Sequence, residues 1–338
     1  MRNNHGSSAH NSFYRGERIL VTGGAGYIGS HVCKALAAEG IEPVVVDNLS
    51  RGHEWAVKWG PLIRADLTDF ETLSQAIASC SPAAVIHLAG FTYVGESTEK
   101  PLLYYRNNVA GTLNLLRVMA EQGIRFLVFS SSAAVYGIPA ATPTSESHPL
   151  APINPYGFTK MVIERVLEDA AKADELQSIS LRYFNAAGAD PEGEIGEEHD
   201  PETHLIPLVL AVAKGAKPTL TIFGNDYDTP DGTCVRDYIH VSDLASAHVL
   251  ALKNLAAGGR TRAFNLGTGT GYSVMEIISA VEKVTGRRIK TLTGHARTGD
   301  PPRLVSEVSA AVDALGWKAV NSDLETIIET AWHWMNRQ

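Results

Sequence analysis

The stretch VTGGAGYIG (21–29) joins an apolar run, RILVT (18–22), to an amphipathic one, IGSHVCKALAAEG, which ends on Gly40. Gly23, Gly26 and Gly29 give the spacing G-x-x-G-x-x-G. Glycines at a strand-to-helix junction allow a tight turn, let the backbone approach a pyrophosphate, and let the helix pack on the strand. The helix N-terminus beyond them offers free N–H groups and the positive end of its dipole to an anion. Alone, the pattern is compatible with an ordinary turn. Asp47 decides the reading, because it ends the next apolar run about twenty residues on, where a carboxylate accepts from adenosine ribose hydroxyls and repels a 2′-phosphate. NAD rather than NADP is therefore the expected cofactor. Tyr27 and Ile28 lie in the turn, Asn48 follows Asp47, and Asp66 with Leu67 ends the third run within reach of the adenine edge.

Outward from this turn the same unit repeats. Short Val/Ile/Leu runs recur as EPVVVD (42–47), PLIRAD (61–66), AAVIHLA (83–89), RFLVFSS (125–131) and SISLRYF (178–184). Between them lie helical patterns such as FETLSQAIAS, with Thr68 and Asp69 as candidate caps, and VAGTLNLLRVMAEQG, which ends at Gly123. Continuous apolar strands fit a parallel sheet covered on both faces. The alternation predicts a doubly wound α/β (Rossmann) domain over 17–185.

After Asn185 the pattern breaks. ADPEGEIGEEHDPET (189–203) is a long, acidic, turn-rich loop of the kind that often carries function. A helix, LIPLVLAVAKG, and a strand, LTIFG, follow it. Ser242 is expected to cap LASAHVLALKNLAA, and AFNLG (263–267) reads as another buried strand. Ser273 with Glu276, and Ser322 with Glu325, have capping-box spacing. These elements predict a smaller mixed α/β substrate domain over 186–338, with 236–268 returning to the first sheet.

The 338 residues are 44% apolar and 20% charged, the balance of a globular chain with a real core. A net charge of −8 argues against nucleic acid as the main partner. The three cysteines, Cys33, Cys80 and Cys234, are scattered without metal-ligand spacing, and no metal site is expected from them. No apolar run approaches the roughly 18 residues of a membrane span. Residues 1–16 are polar, lack the apolar core of a signal peptide, and are expected to be a flexible tail. A cytoplasmic protein that does not engage membranes is the expectation.

Open α/β sheets bind ligands at the carboxyl ends of their strands. HLAG (87–90) and SSSAAVYG (130–137) end two strands there, and NPYGFTK (154–160) begins the helix leading to the next. Leu88, Ala89, Gly90 and Ser130 are thus expected beside the cofactor. Tyr156 and Lys160, four apart, share one helix face. A tyrosine of pKa about 10 needs roughly 4 kcal/mol of differential stabilisation to ionise near pH 7. Lys160 and a positively charged nicotinamide both favour the phenolate. Ser132 can hold a substrate oxygen beside Tyr156, so the trio suits deprotonation of an alcohol while NAD takes its hydride.

Together with VGES (94–97), YYRNNVAGT (104–112), LRYFNAAGA (181–189), IFGNDYDTPDGTCVRDYIHV (222–241) and NLGTG (265–269), these motifs make the chain resemble the extended short-chain dehydrogenase/reductases. Within them it is most similar to enzymes that invert C4 of a UDP-hexose, from about Arg18 to the C-terminus. The resemblance implies that Ser132, Tyr156 and Lys160 are catalytic and that Asn107 and Phe184 border the cofactor. It implies that Asn185, Leu205, Arg236, Arg297 and Asp300 hold UDP, with Thr221 and Phe223 beside uracil and Leu304 against the sugar. Arginines suit a diphosphate, which calls for planar charge-assisted donors. Two positions depart from the pattern. Thr92 stands where the family often has a lysine near the cofactor ribose, and His204 stands where some relatives place an asparagine on the substrate. A UDP-pentose 4-epimerase and a non-catalytic NAD-responsive binding protein are the rival readings. A homodimer is expected.

Overall fold

Valine, isoleucine and leucine fill the strands of the first half because both faces of their sheet are covered. The computed structural model describes residues 16–296 and 300–337. Its main sheet holds β1 (Arg18–Thr22), β2 (Glu42–Asp47), β3 (Leu62–Arg64), β4 (Ala84–His87), β5 (Phe126–Ser132), β6 (Gln177–Tyr183) and β10 (Arg262–Leu266). All pairings are parallel, in the order β10-β6-β5-β4-β1-β2-β3. The order reverses at β1, so the ligand crevice opens between the carboxyl ends of β1 and β4.

Helices α1 (Tyr27–Ala38), α8 (Val241–Ala256) and α10 (Ser309–Leu315) bury Val32, Leu36, Leu244, Leu252 and Leu315 against one face. On the other face α2 (Phe70–Cys80), α5 (Gly111–Glu121) and α6 (Pro155–Lys172) bury Leu73, Ile77, Leu115, Val118, Ile163 and Leu167. Short helices α3 (Val94–Glu99) and α4 (Pro101–Tyr104) run through a π-helical turn, 105–110, into α5. The remaining helices, α7 (Leu205–Lys214), α9 (Val274–Thr285) and α11 (Leu324–Met335), share a separate core around Val209, Ile277 and Ile327. Beside them β7 (Asn185–Ala187), β9 (Val235–His240), β11 (Gly271–Ser273) and β13 (Arg303–Leu304) make a small mixed sheet, and β8 (Leu220–Phe223) pairs with β12 (Thr291–Gly294). This is a Rossmann-like parallel sheet with a smaller mixed α/β unit. Among the described residues no helix is long and apolar enough to cross a membrane.

Several local expectations are corrected. The return to the main sheet is made by α8 and β10, while residues 235–240 pair within the small sheet as β9. Ser242 does not cap α8. His240 does, its ring accepting from the Ser242 N–H at 3.1 Å. Ser322 does not cap α11 either, because Asp243 accepts its hydroxyl proton and Asp323 takes the cap position. The Ser273–Glu276 box forms with both reciprocal bonds. The tail expected over 1–16 lies outside the described residues except for Gly16.

Candidate active site

The glycine turn closes tightly on the end of β4. Gly23 has φ +73°, and a Cβ on it would fall 2.6 Å from the Ala89 nitrogen. Gly26 instead faces open space apart from the Gly23 oxygen, 3.3 Å from an ideal Cβ. No side chain caps α1, so the first-turn N–H groups, those of Tyr27, Ile28 and Gly29, stay available to an anion. Tyr27 donates to the Gly188 carbonyl at 2.6 Å and anchors the turn to the small unit. Asp47 accepts from the Ala25 N–H at 3.1 Å and the Leu49 N–H at 2.8 Å, and burial holds its carboxyl above the usual range. Asn48 donates to Asp66 at 2.8 Å, so these two groups form one polar edge. Leu67 packs beside them against Gly111, and its carbonyl accepts from Asn114 at 2.9 Å. An open anion cradle followed by a carboxylate and an amide fits a dinucleotide.

Sequence reading missed the network behind Leu88, Ala89 and Gly90. His87 bridges the Thr22 and Thr112 hydroxyls at 2.6 and 2.8 Å, and burial lowers its pKa to about 3, so the ring is neutral. Asn108, the buried neighbour of Asn107, accepts from the Phe91 N–H at 2.8 Å and donates to the Phe91 carbonyl and the Thr159 hydroxyl. Asn107 donates to Asn108 in turn, at 3.0 Å. This ties the end of β4 to α6 one residue before Lys160. Near the altered position Thr92, the Arg51 guanidinium lies over the rings of Phe91 and Tyr93 at 5.4 and 5.0 Å.

α6 starts where Asn154 accepts from the Gly157 N–H at 2.8 Å, with Pro155 in the first turn. That start turns Tyr156 and Lys160 inward, and both are buried. Lys160 donates to the Ser130 carbonyl at 2.7 Å, and its Nζ is 5.8 Å from the centre of the Tyr156 ring. Burial brings its pKa down to about 8. Burial raises that of Tyr156, opposed by the hydrogen-bonded Ser132 hydroxyl. Lys160 is thus aimed at the backbone of β5 more than at the phenol oxygen, and the phenol without ligands is protonated at neutral pH. Along β5 side chains alternate. The Ser130 hydroxyl bonds the Tyr183 phenol on one face, whereas Ser131 donates at 2.5 Å to Glu164, which is paired with buried Arg182 on the other.

On the substrate side, Phe184 packs with Ala133, Val135 and Tyr136, and Leu304 lies against this cluster. Asn185 donates to the Asp237 carbonyl at 2.8 Å. Arg236 forms an ion pair with Asp300 and stands in register with Leu304. Thr221 and Phe223 lie on the exposed face of β8, with Gly294 across from Phe223. Leu205 opens α7. Arg297 lies outside the described residues. His204 precedes Leu205, and its ring Nδ1 bonds Glu197 in the acidic loop.

The chain belongs to the NAD dependent epimerase/dehydratase family, whose model matches residues 19–267. It is 52% identical over 320 residues to the UDP-glucose 4-epimerase of Rhizobium meliloti, covering 95% of this chain and 97% of the relative. The crystal structure of the UDP-glucose 4-epimerase of Brucella ovis in complex with NAD superposes with a TM-score of 0.92 at 50% identity, covering 94% of this chain and 98% of that one. The Bifidobacterium longum enzyme in complex with NAD+ and UDP gives a TM-score of 0.90 at 38% identity, covering 95% and 98%.

Proposed function

We propose that the chain interconverts UDP-glucose and UDP-galactose by reversible inversion at C4, as an isomerase with NAD held at the glycine turn. The observation that carries this reading is the Ser132–Tyr156–Lys160 group, its tyrosine and lysine buried, at the crevice beside an open anion cradle ending in Asp47. Gly26 and the N–H groups of the first turn receive the pyrophosphate, Asp47 and Asn48 the ribose, Asp66 and Leu67 the adenine edge. NAD bound there would supply reversible hydride acceptance, the two-electron chemistry that oxidation and re-reduction at C4 require.

Tyr156 takes the O4 proton as the alcohol becomes a ketone and returns it on reduction. Ser132 holds O4 beside it. Cationic charge near the phenol, including that of Lys160, offsets the burial that otherwise keeps it protonated. Asn185, Leu205, Arg236, Arg297 and Asp300 keep the UDP handle fixed, with Thr221 and Phe223 at uracil, so the keto sugar turns while the nucleotide stays. In this reading residues 17–185 with α8 and β10 bind NAD, and the rest of 186–338 binds the UDP sugar. Exposed Leu102 on α4, Leu113 on α5 and Phe158 on α6 support pairing of two copies through these helices. A cytoplasmic site of action completes the reading.

The test uses purified protein with UDP-galactose and no added cofactor. Turnover, with NAD released on denaturation, is the expected result. Tyr156→Phe is expected to lower kcat by at least about 100-fold while UDP still binds. Near-normal turnover in that variant removes Tyr156 from the mechanism, and lost UDP binding makes it structural.

A further inference from the structure

Four ligating side chains meet in the acidic loop between β7 and α7. The segment EEHDPETH (197–204) carries a Glu-x-His pair twice, as Glu197/His199 and Glu202/His204. One nitrogen or oxygen from each lies within 4.8 Å of all the others. His199 Nδ1 stands 3.1 Å from Glu197 Oε1 and 3.8 Å from Glu202 Oε2. His204 Nδ1 is 3.5 Å from Glu202 Oε1 and closer still to Glu197 Oε1. Four ligands bound tetrahedrally to zinc at about 2.0–2.1 Å sit roughly 3.3 Å apart, which the His199–Glu197 and His204–Glu202 separations approach. His204 and Glu197 stand at hydrogen-bonding distance and would have to part to admit an ion. His199 Nδ1 is buried and faces two carboxylates, Glu197 and Glu202, and no backbone carbonyl among the described residues accepts from it.

The surroundings hold the ligands in place. Tyr27 and Tyr93 set their rings edge-on to His199, with centroids 6.3 and 6.0 Å away. Trp334 donates to the Glu197 carbonyl at 3.1 Å, and Glu202 Oε1 accepts from the N–H groups of Thr203 and His204 at 2.7 and 2.8 Å. Upstream, Lys34 of α1 pairs with Asp190 and Glu194 at 2.8 Å each. The loop is therefore fixed at both ends, which lowers the ordering cost of binding. Two imidazoles and two carboxylates suit zinc and similar transition ions, whereas calcium and magnesium prefer all-oxygen shells.

We propose that Glu197, His199, Glu202 and His204 form a binding site for a zinc-class divalent cation that ties the 189–204 loop across Tyr27 at the glycine turn. The ion is a structural staple that closes residues 197–204 into one turn, which packs on the rings of Tyr27 and Tyr93.

Full-length protein stripped with EDTA is titrated with zinc chloride by calorimetry. One ion per chain, with Kd below about 1 μM, is the expected result, within reach of structural zinc affinities. His199→Gln and His204→Gln are each expected to keep the far-UV spectrum and lose at least about tenfold in affinity. Cobalt(II) added to the stripped wild-type chain is expected to give the intense visible absorption of a four-coordinate site. Absence of zinc binding by the wild-type chain, or undiminished affinity in both folded variants, overturns the proposal. A weak six-coordinate cobalt spectrum overturns it as well, independently of whether the variants fold.

Discussion

Leu304 sits half-buried in β13, beside Arg236 in register and against the Phe184 cluster that follows Ser132. If this position faces the sugar, as the resemblance implies, a leucine there leaves more room than a tyrosine and carries no hydroxyl. Secondary activity on UDP-N-acetylglucosamine is expected, with UDP-glucose preferred. Leu304→Tyr is expected to abolish the N-acetyl activity and leave the hexose activity largely intact, since overpacking penalises the larger ligand. The ratio of kcat/KM for the two substrates before and after substitution checks it, and an unchanged ratio sinks the idea. At the same scale, the Tyr156–Lys160 spacing was legible because one helix turn relates the two residues. That Lys160 spends its proton on the Ser130 carbonyl was not, since β5 approaches only in the folded chain.

Between elements, one carboxylate does the joining. Asp237 of β9 is fully buried and accepts from the N–H and hydroxyl of Thr268, the N–H of Gly269, and the N–H and hydroxyl of Ser306. It holds the loop after β10 and the chain after β13 onto one strand. Asp237→Ala leaves those donors without their acceptor and is expected to cost about 3 kcal/mol or more, read as a lower denaturant midpoint. Asp69→Ala, which removes only the exposed cap of α2, is expected to cost about 1 kcal/mol. Equal losses in the two would mean that the Asp237 network is solvated. The same competition explains which caps the sequence conveyed. Ser273 and Glu276 satisfy each other locally, whereas Ser322 is drawn to Asp243, 79 residues away in sequence.

For the molecule as a whole, burial fixes an acid limit. His31, His87 and His248 are buried, and burial lowers their pKa values to about 4, about 3 and about 4. In the unfolded chain each titrates near 6.5. Their folded values lie below the unfolded one, so the stability they permit is complete above pH 6.5 and is lost as pH falls toward 4. Each takes up a proton only on unfolding across that window, worth about 1.4 kcal/mol per pH unit, or roughly 4 for the three together. Denaturant midpoints measured at intervals from pH 7 to 4.5 are expected to fall steeply, and His248→Gln is expected to flatten the slope by about a third. A flat profile in the wild-type protein refutes this account.

Strand and helix periods, the glycine turn, Asp47 at the end of β2 and the Tyr-x-x-x-Lys pair were readable from sequence because each depends on residues within a turn or a strand of one another. The three-residue strands β7 and β11 were not, being too short to show alternation. Tertiary structure alone decided that Tyr27 reaches Gly188, that Arg236 meets Asp300, that Leu304 packs beside Phe184, and that His204 turns to Glu197 rather than outward. The partners in the first three contacts are separated by tens to over a hundred residues, so the sheet order chooses them. His204 and Glu197 are near in sequence, but the loop that turns one onto the other is shaped by Trp334 and Lys34 from distant helices. Local spacing encodes backbone conformation, while the choice of partner follows from which segments the packed core brings together.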